Sequence, residues 1–297
     1  MSLPERAPGR FSTRLRLKVA GVLAALIAIA IAVAVTGLAT ASPVHSPSQR
    51  VVSTRPSASG LTPVATSASA GSSRSIAVVG VGDSVTSGQS CNCSTFVSMY
   101  ASDLASARGL RTSALNLGVS GMTSTQLLAK MTAPGSFRDQ VAKADILLVT
   151  IGANDLGSLE GEKPASCPAT CYGPMVDTVG RNTQLIVAAA RANHQSHPQT
   201  ILVTDYWNVF QDGDVGTAEN GASYQSWSDA LTRAESNSVC AAARAAGAVC
   251  VSLYAPFKGN GSTNPTALLA ADGDHPNAAG HQLIASTLLA STPLSVS

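Results

Sequence analysis

Charge is scarce in this chain: 12% of its 297 residues are Asp, Glu, Lys or Arg, and the formal net charge is +2. The small surplus does not make a binding face, because Arg6, Arg10, Arg14, Arg16 and Lys18 all precede the first apolar segment. With no basic face left, nucleic acid is excluded as a partner. None of the six cysteines shows the C-x-x-C spacing of a zinc site, and no second histidine or carboxylate cluster stands at ligand spacing, so no metal centre is expected. Internal repeats are also missing, as is a separate carbohydrate-binding module. Six cysteines without a metal motif read as disulfides.

What is present divides into three parts. Residues 1–18 are basic, residues 19–35 are an uninterrupted apolar run, and Ala39-Thr40-Ala41 offers a small-x-small cleavage site. Residues 1–41 therefore read as a signal peptide or, since the run is just long enough to span a bilayer of roughly 30 Å, an uncleaved membrane anchor. Either version places the remainder outside the cytoplasm, secreted or membrane-anchored. Residues 42–74, rich in Ser, Pro, Ala and Thr, cannot bury enough surface to offset the entropy of ordering and read as a disordered linker. From residue 75 to residue 297 apolar runs alternate with helical patterns. Strands are expected at 76–81, 113–117, 146–151, 200–205 and 249–253, with helices at 95–108, 124–131, 175–193, 224–246 and 277–290. Five strands separated by helices predict one α/β domain, a five-stranded parallel sheet between two helical layers, and a monomer is expected.

The first strand stops at Gly82 and delivers Ser84 into a turn. A serine there lies at the carboxyl edge of the sheet, where open α/β folds place their sites. A serine hydroxyl needs a base, and the base needs an orienting group. Among five histidines, His45 falls in the linker, His194 and His197 suit a helix end, and His281 falls inside the last helical pattern. His275 remains, in Asp272-Gly273-Asp274-His275-Pro276-Asn277. A tight turn there can fold the Asp272 carboxylate onto the imidazole Nδ1 and leave Nε2 for the serine. Ester cleavage also needs donors for the oxyanion, and two strand ends supply candidates: the Gly118 N–H in Asn116-Leu117-Gly118-Val119-Ser120-Gly121, and the Asn154 amide in Gly152-Ala153-Asn154-Asp155. Each block alone is an ordinary turn or cap.

Together and in order, G-D-S-V, N-L-G-V-S-G, G-A-N-D and D-G-D-H-P-N resemble the SGNH hydrolases, also called the GDSL esterase and lipase family. The resemblance covers roughly residues 75–289. It implies a flavodoxin-like strand order, no metal or organic cofactor, and hydrolysis of carboxylic esters through an acyl-enzyme. It also implies Ser84 as nucleophile, His275 as base, Asp272 as orienter, and an oxyanion hole of the Ser84 N–H, Gly118 N–H and Asn154 side chain. Val85 stands where the family name has Leu, a conservative change.

Lipid or short-chain acyl esters are the first expected substrates, with O-deacetylation of a polysaccharide second, so the ester partner is a small molecule, a lipid or a glycan. A catalytically silent surface binding domain is the alternative from another class. Tyr206 and Trp207 follow the fourth strand onto the same rim and are expected to line the acyl pocket, although packing over the sheet would equally account for Trp207. Residues 156–173, rich in glycine and proline, form a candidate cleft wall. Local spacing favours the pairings Cys91–Cys93, Cys167–Cys171 and Cys240–Cys250 among fifteen possible connectivities.

Overall fold

The computed structural model describes residues 75–162, 164–194 and 198–295. Its elements run β1 (Ile76–Gly82), α1 (Ser84–Ser87), α2 (Phe96–Arg108), β2 (Thr112–Asn116), α3 (Ser124–Thr132), α4 (Ser136–Val141), β3 (Ile146–Thr150), α5 (Ala169–Asn193), β4 (Thr200–Thr204), α6 (Gly213–Ala245), β5 (Val249–Val251), α7 (Tyr254–Lys258) and α8 (Ala278–Ser291). All four strand pairs are parallel, in the order β2-β1-β3-β4-β5. The expected sheet is therefore present, and its order reverses between β1 and β3, which opens a crevice at their carboxyl ends.

Alternation along the strands explains the two helical layers. Val78, Ile146, Leu148, Leu202 and Val251 face a core shared with Phe96, Tyr100 and Leu104 of α2 and Ile284 and Leu288 of α8. Val79, Val81, Leu147, Val149 and Val203 face the opposite core, built with Leu127 and Met131 of α3, Ile186 of α5 and Val239 of α6. A fully buried side chain of this kind is worth about 1.5–3 kcal/mol, against at most about 1 kcal/mol for an exposed ion pair such as Arg138–Asp139. The strands are thus held by their two apolar faces.

Several boundaries differ from expectation. Helix α5 starts at Ala169, before Pro174 rather than after it, and so carries the proline inside its second turn despite the lost intrahelical bond. Helix α6 starts at Gly213 and contains Gly221 in a non-helical conformation (φ 77°, ψ 165°), so the expected helix is its second half. Strand β2 lies at the sheet edge, half exposed, and α4 has no counterpart in the sequence reading.

The expectation of a membrane-anchored chain is corrected. Among the described residues no helix is long and apolar enough to cross a membrane. The two longest, α5 and α6, carry Asp177, Arg181 and Arg191 and Asp214, Glu219, Asp229, Arg233, Glu235 and Arg244, charges that a bilayer interior disfavours. The apolar run 19–35 and the linker 42–74 lie outside the described residues, as do His45 and His197.

His281 is packed inside. It stacks on Phe96 at 6.1 Å between ring centres, accepts the Phe96 N–H at Nδ1 (3.3 Å), and burial lowers its pKa to about 4. The folded protein then binds fewer protons than the unfolded chain between about pH 4 and the ordinary 6.5. This contribution to stability is complete above that window and is lost as pH falls through it. The unfolding free energy is expected to drop by about 2–3 kcal/mol more in wild type than in His281→Gln between pH 7 and pH 4. Denaturant melts at both pH values check this, and parallel losses would remove His281 as the source.

Candidate active site

Gly82 ends β1 with φ 140°, and a Cβ on it would stand 1.9 Å from the Thr150 carbonyl oxygen. Only glycine lets β1 and β3 approach this closely at the rim. The next residue, Asp83, caps α1 by accepting the Val85 N–H at 3.1 Å, and Ser84 becomes the first residue of that four-residue helix. Asp83 is buried and also accepts from Thr150 Oγ1 (3.1 Å) and from the Tyr206 hydroxyl. Burial raises its pKa to about 6, against the lowering effect of those hydrogen bonds.

The Asp272–His275 turn folds as its spacing suggested. Asp272 Oδ2 lies 2.8 Å from His275 Nδ1, and Oδ1 accepts the backbone N–H groups of Asp274 and His275, both at 3.0 Å. Gly273, with φ 69°, provides the bend. Burial raises the Asp272 pKa, but hydrogen bonds from Ser90, the two backbone N–H groups and the imidazole outweigh it and hold the carboxyl at about 2. An ionised Asp272 makes Nδ1 the donor and leaves Nε2 as a lone-pair base. Asp274 is the more distant carboxylate, 3.8 Å from Nδ1.

Ser84 and His275 line one cavity of about 80 Å³, together with Asn154, Tyr206, Trp207 and Asp274. Among the described residues no hydrogen bond joins the Ser84 hydroxyl to the imidazole. Gly157 and Glu160 also line this cavity, so the 156–173 segment contributes a wall.

Gly118 lies elsewhere. Its N–H donates to Asn116 Oδ1 at 2.9 Å, and a Cβ there would meet the Thr86–Ser87 backbone within 2.7 Å. Gly118 is pressed against α1, and neither it nor Gly121 is among the cavity's lining residues. Asn154 does reach the cavity, with Nδ2 donating to the Met122 carbonyl at 3.1 Å.

Tyr206 and Trp207 differ in what they do. The Tyr206 hydroxyl is spent on Asp83, whereas Trp207, stacked on Phe257 at 4.1 Å, keeps an indole N–H with no partner among the described residues. The sequence reading missed Ser90 and Asp83 as neighbours of this site. Ser90 had no signal beyond its turn, although its non-glycine φ of 62° marks a constrained loop. The structure joins Cys91 to Cys93 in that loop, Cys167 to Cys171 at the start of α5, and Cys240 to Cys250 between α6 and β5.

The profile of the GDSL-like Lipase/Acylhydrolase family matches residues 81–283, well over half of the chain and all four motif blocks. No curated protein sequence matches it significantly. Among solved structures, the lipase Lip_vut3 from a goat rumen metagenome superposes with a TM-score of 0.61 at 20% identity, covering 73% of this chain and 97% of that one. Axe2, an acetylxylan esterase from Geobacillus stearothermophilus, superposes with a TM-score of 0.52 at 18% identity, covering 73% and 93%. At these identities the two structures show a shared fold, while the family follows from the profile match. The chain therefore belongs to the GDSL-like lipase and acylhydrolase family, the SGNH serine hydrolases, and is an ester-hydrolysing enzyme.

Proposed function

We propose that this hydrolase removes short acyl groups, foremost O-acetyl groups of carbohydrate, with Ser84 as nucleophile, His275 as base and Asp272 as orienter. The observation that carries the substrate reading is the size of the cavity beside Ser84. Sites for drug-sized ligands usually offer about 300–1,000 Å³. A cavity of about 80 Å³ takes an acetyl group and little more. Its walls also include Asn154, Glu160, Asn208 and Asp274, which are poor partners for a hydrocarbon chain. Each methylene contributes about 0.8 kcal/mol only when it is buried against apolar surface. This moves carbohydrate O-deacetylation ahead of the lipid or short-chain acyl esters that stood first in the order expected from sequence. By its name Axe2 acts on acetylated xylan, and the present reading extends that substrate class to this chain.

In the proposed reaction the Ser84 hydroxyl attacks the acyl carbonyl as His275 Nε2 takes its proton. Asp272 holds the Nδ1–H, and the imidazolium then protonates the departing sugar oxygen. Water, activated by the same imidazole, releases acetate and restores Ser84. The Ser84–His275 hydrogen bond, absent from this structure, forms as substrate enters, since catalytic contacts commonly close only in the substrate complex.

For the oxyanion, the Ser84 N–H belongs to the first turn of α1, where no intrahelical acceptor exists. Asn154 keeps one amide hydrogen beyond the bond to Met122. The third donor is Gly121 rather than Gly118. Its N–H has no partner among the described residues. It also sits between Ser120, whose Oγ is 3.0 Å from Ser87 Oγ, and Met122, which accepts from Asn154. The loop is thus tied to α1 on one side and to Asn154 on the other.

A chain-length series tests the substrate reading. The kcat/KM for acetyl and propionyl esters of p-nitrophenol is expected to exceed that for the octanoyl ester by at least about 100-fold, roughly 2.7 kcal/mol in the transition state. Acetylated xylo-oligosaccharide should release acetate at a comparable rate. An optimum at eight carbons or more would restore the lipid reading.

A further inference from the structure

A second cavity, of about 370 Å³, is lined in part by Asp212, a residue bonded to the Asp272–His275 turn. Its centre is Lys258, whose ammonium is buried and stands 2.7 Å from Asp212 Oδ2 and 3.0 Å from Asp229 Oδ1. Asp229 also receives Arg233 Nε at 2.8 Å and the Tyr254 hydroxyl at 2.6 Å. Two carboxylates and two cations cancel, so this polar cavity has no charge with which to select an ion.

Its hydrogen-bonding capacity is nevertheless unspent. An ammonium has three N–H donors, and the two carboxylates account for two of them. Gln225 donates from Nε2 to the Gln211 carbonyl at 3.1 Å, while its Oε1 is buried without a partner among the described residues. A buried acceptor left unpaired costs about 1–3 kcal/mol. The lining also includes Thr263 and Ser262, whose hydroxyl donates to Asn260 Oδ1 at 2.6 Å and keeps its oxygen as an acceptor. Donors and acceptors around a roomy, neutral cavity suit a compound with several hydroxyl groups and no net charge.

The cavity is also built into the catalytic turn. Asp212 N–H donates to the Gly273 carbonyl at 2.7 Å, and Gln211 Nε2 donates to the Asp272 carbonyl at 3.1 Å. Acyl transfer needs only the smaller cavity, so the larger one is free to hold a part of the substrate that does not react.

We propose that the Lys258 cavity is a second binding site, taking a neutral sugar unit of the carbohydrate whose ester is cleaved next door. The choice of a sugar rests on the deacetylase reading, but the test does not use catalysis. Xylotriose, unacetylated and uncharged, is titrated by calorimetry into the Ser84→Ala protein, alone and combined with Ser226→Trp. Ser226 lies on the exposed face of α6 at the cavity wall and bonds only to the Ala222 carbonyl of its own helix, so the indole fills the cavity without entering the core. Saturable binding by the parent and at least a tenfold loss in Ser226→Trp are expected, with thermal unfolding showing both to be folded. Lys258→Met should lose binding similarly. Equal binding by Ser226→Trp, absence of saturable binding by the parent, or tighter binding of inositol hexakisphosphate than of xylotriose would each overturn the proposal. If xylotriose binds but acetylated sugars are not hydrolysed, the deacetylase reading fails and the cavity assignment stands.

Discussion

Ser84→Ala is expected to lower kcat for p-nitrophenyl acetate by about 10⁶-fold, with Ser84→Ala/His275→Ala little worse than Ser84→Ala alone. The size of the loss follows from chemistry rather than binding. Without the hydroxyl no acyl-enzyme forms, and the remaining oxyanion donors and the cleft can offer only about 10³–10⁴-fold over water. The lack of further loss in the double variant is the sharper result. A base with no nucleophile to serve has nothing left to contribute, so the two losses cannot add. A Ser84→Ala protein retaining a tenth of the wild-type rate would overturn the nucleophile assignment. Stability should change little, because Ser84 is half-buried and its hydroxyl has no hydrogen bond among the described residues.

Asp272→Asn should lower kcat by about 10⁴-fold while the turn keeps its shape. Asp272 Oδ1 accepts the N–H groups of Asp274 and His275, and an asparagine carbonyl oxygen can accept both in the same way. The other oxygen, 2.8 Å from His275 Nδ1, would become an amide that donates. Nδ1 must then accept, so the proton moves to Nε2, the atom that should take it from Ser84. Geometry survives and the tautomer is wrong. Asp272→Ala, in contrast, also frees two backbone N–H groups and should reduce stability as well as rate. Because Asp272 in wild type stays ionised down to about pH 2, its own titration lies below the acid limb of the pH–rate profile. If Asp272→Asn keeps a tenth of the activity and Asp274→Asn does not, the orienter is Asp274, despite its 3.8 Å distance. Stopped assays of kcat for both variants, alongside their thermal unfolding, separate these outcomes.

The local turns of the proposed site were legible in the sequence because each block combines a candidate side chain with the turn that presents it. Gly82-Asp83-Ser84 is one such block, and its glycine is explained by the Thr150 carbonyl 1.9 Å from where a Cβ would be. Asp272 to His275 is another, since a carboxylate three residues before a histidine closes its hydrogen bond within the turn. The Gly118 assignment shows where local pattern stops being sufficient. Several residues of that loop could present an N–H, and the choice depends on Asn116 turning its side chain onto Gly118 and on Asn154 reaching Met122 from another strand. Likewise nothing near Tyr206 in the sequence indicates that its hydroxyl meets Asp83, 123 residues earlier. That contact reaches past the end of β3, which lies between β1 and β4.

By itself, the sequence determined the alternating α/β plan, the strand that delivers Ser84 and the self-contained Asp272–His275 turn, since periodicity, turn residues and short-range hydrogen bonds are local properties. Tertiary structure alone decided that the space beside Ser84 is only about 80 Å³, that Trp207 lines it while its buried N–H has no partner among the described residues, and that Lys258 is buried between two carboxylates beside a larger polar cavity. Volume and burial arise from elements far apart in the chain packing against one another, and no local pattern of residues encodes the space left between them.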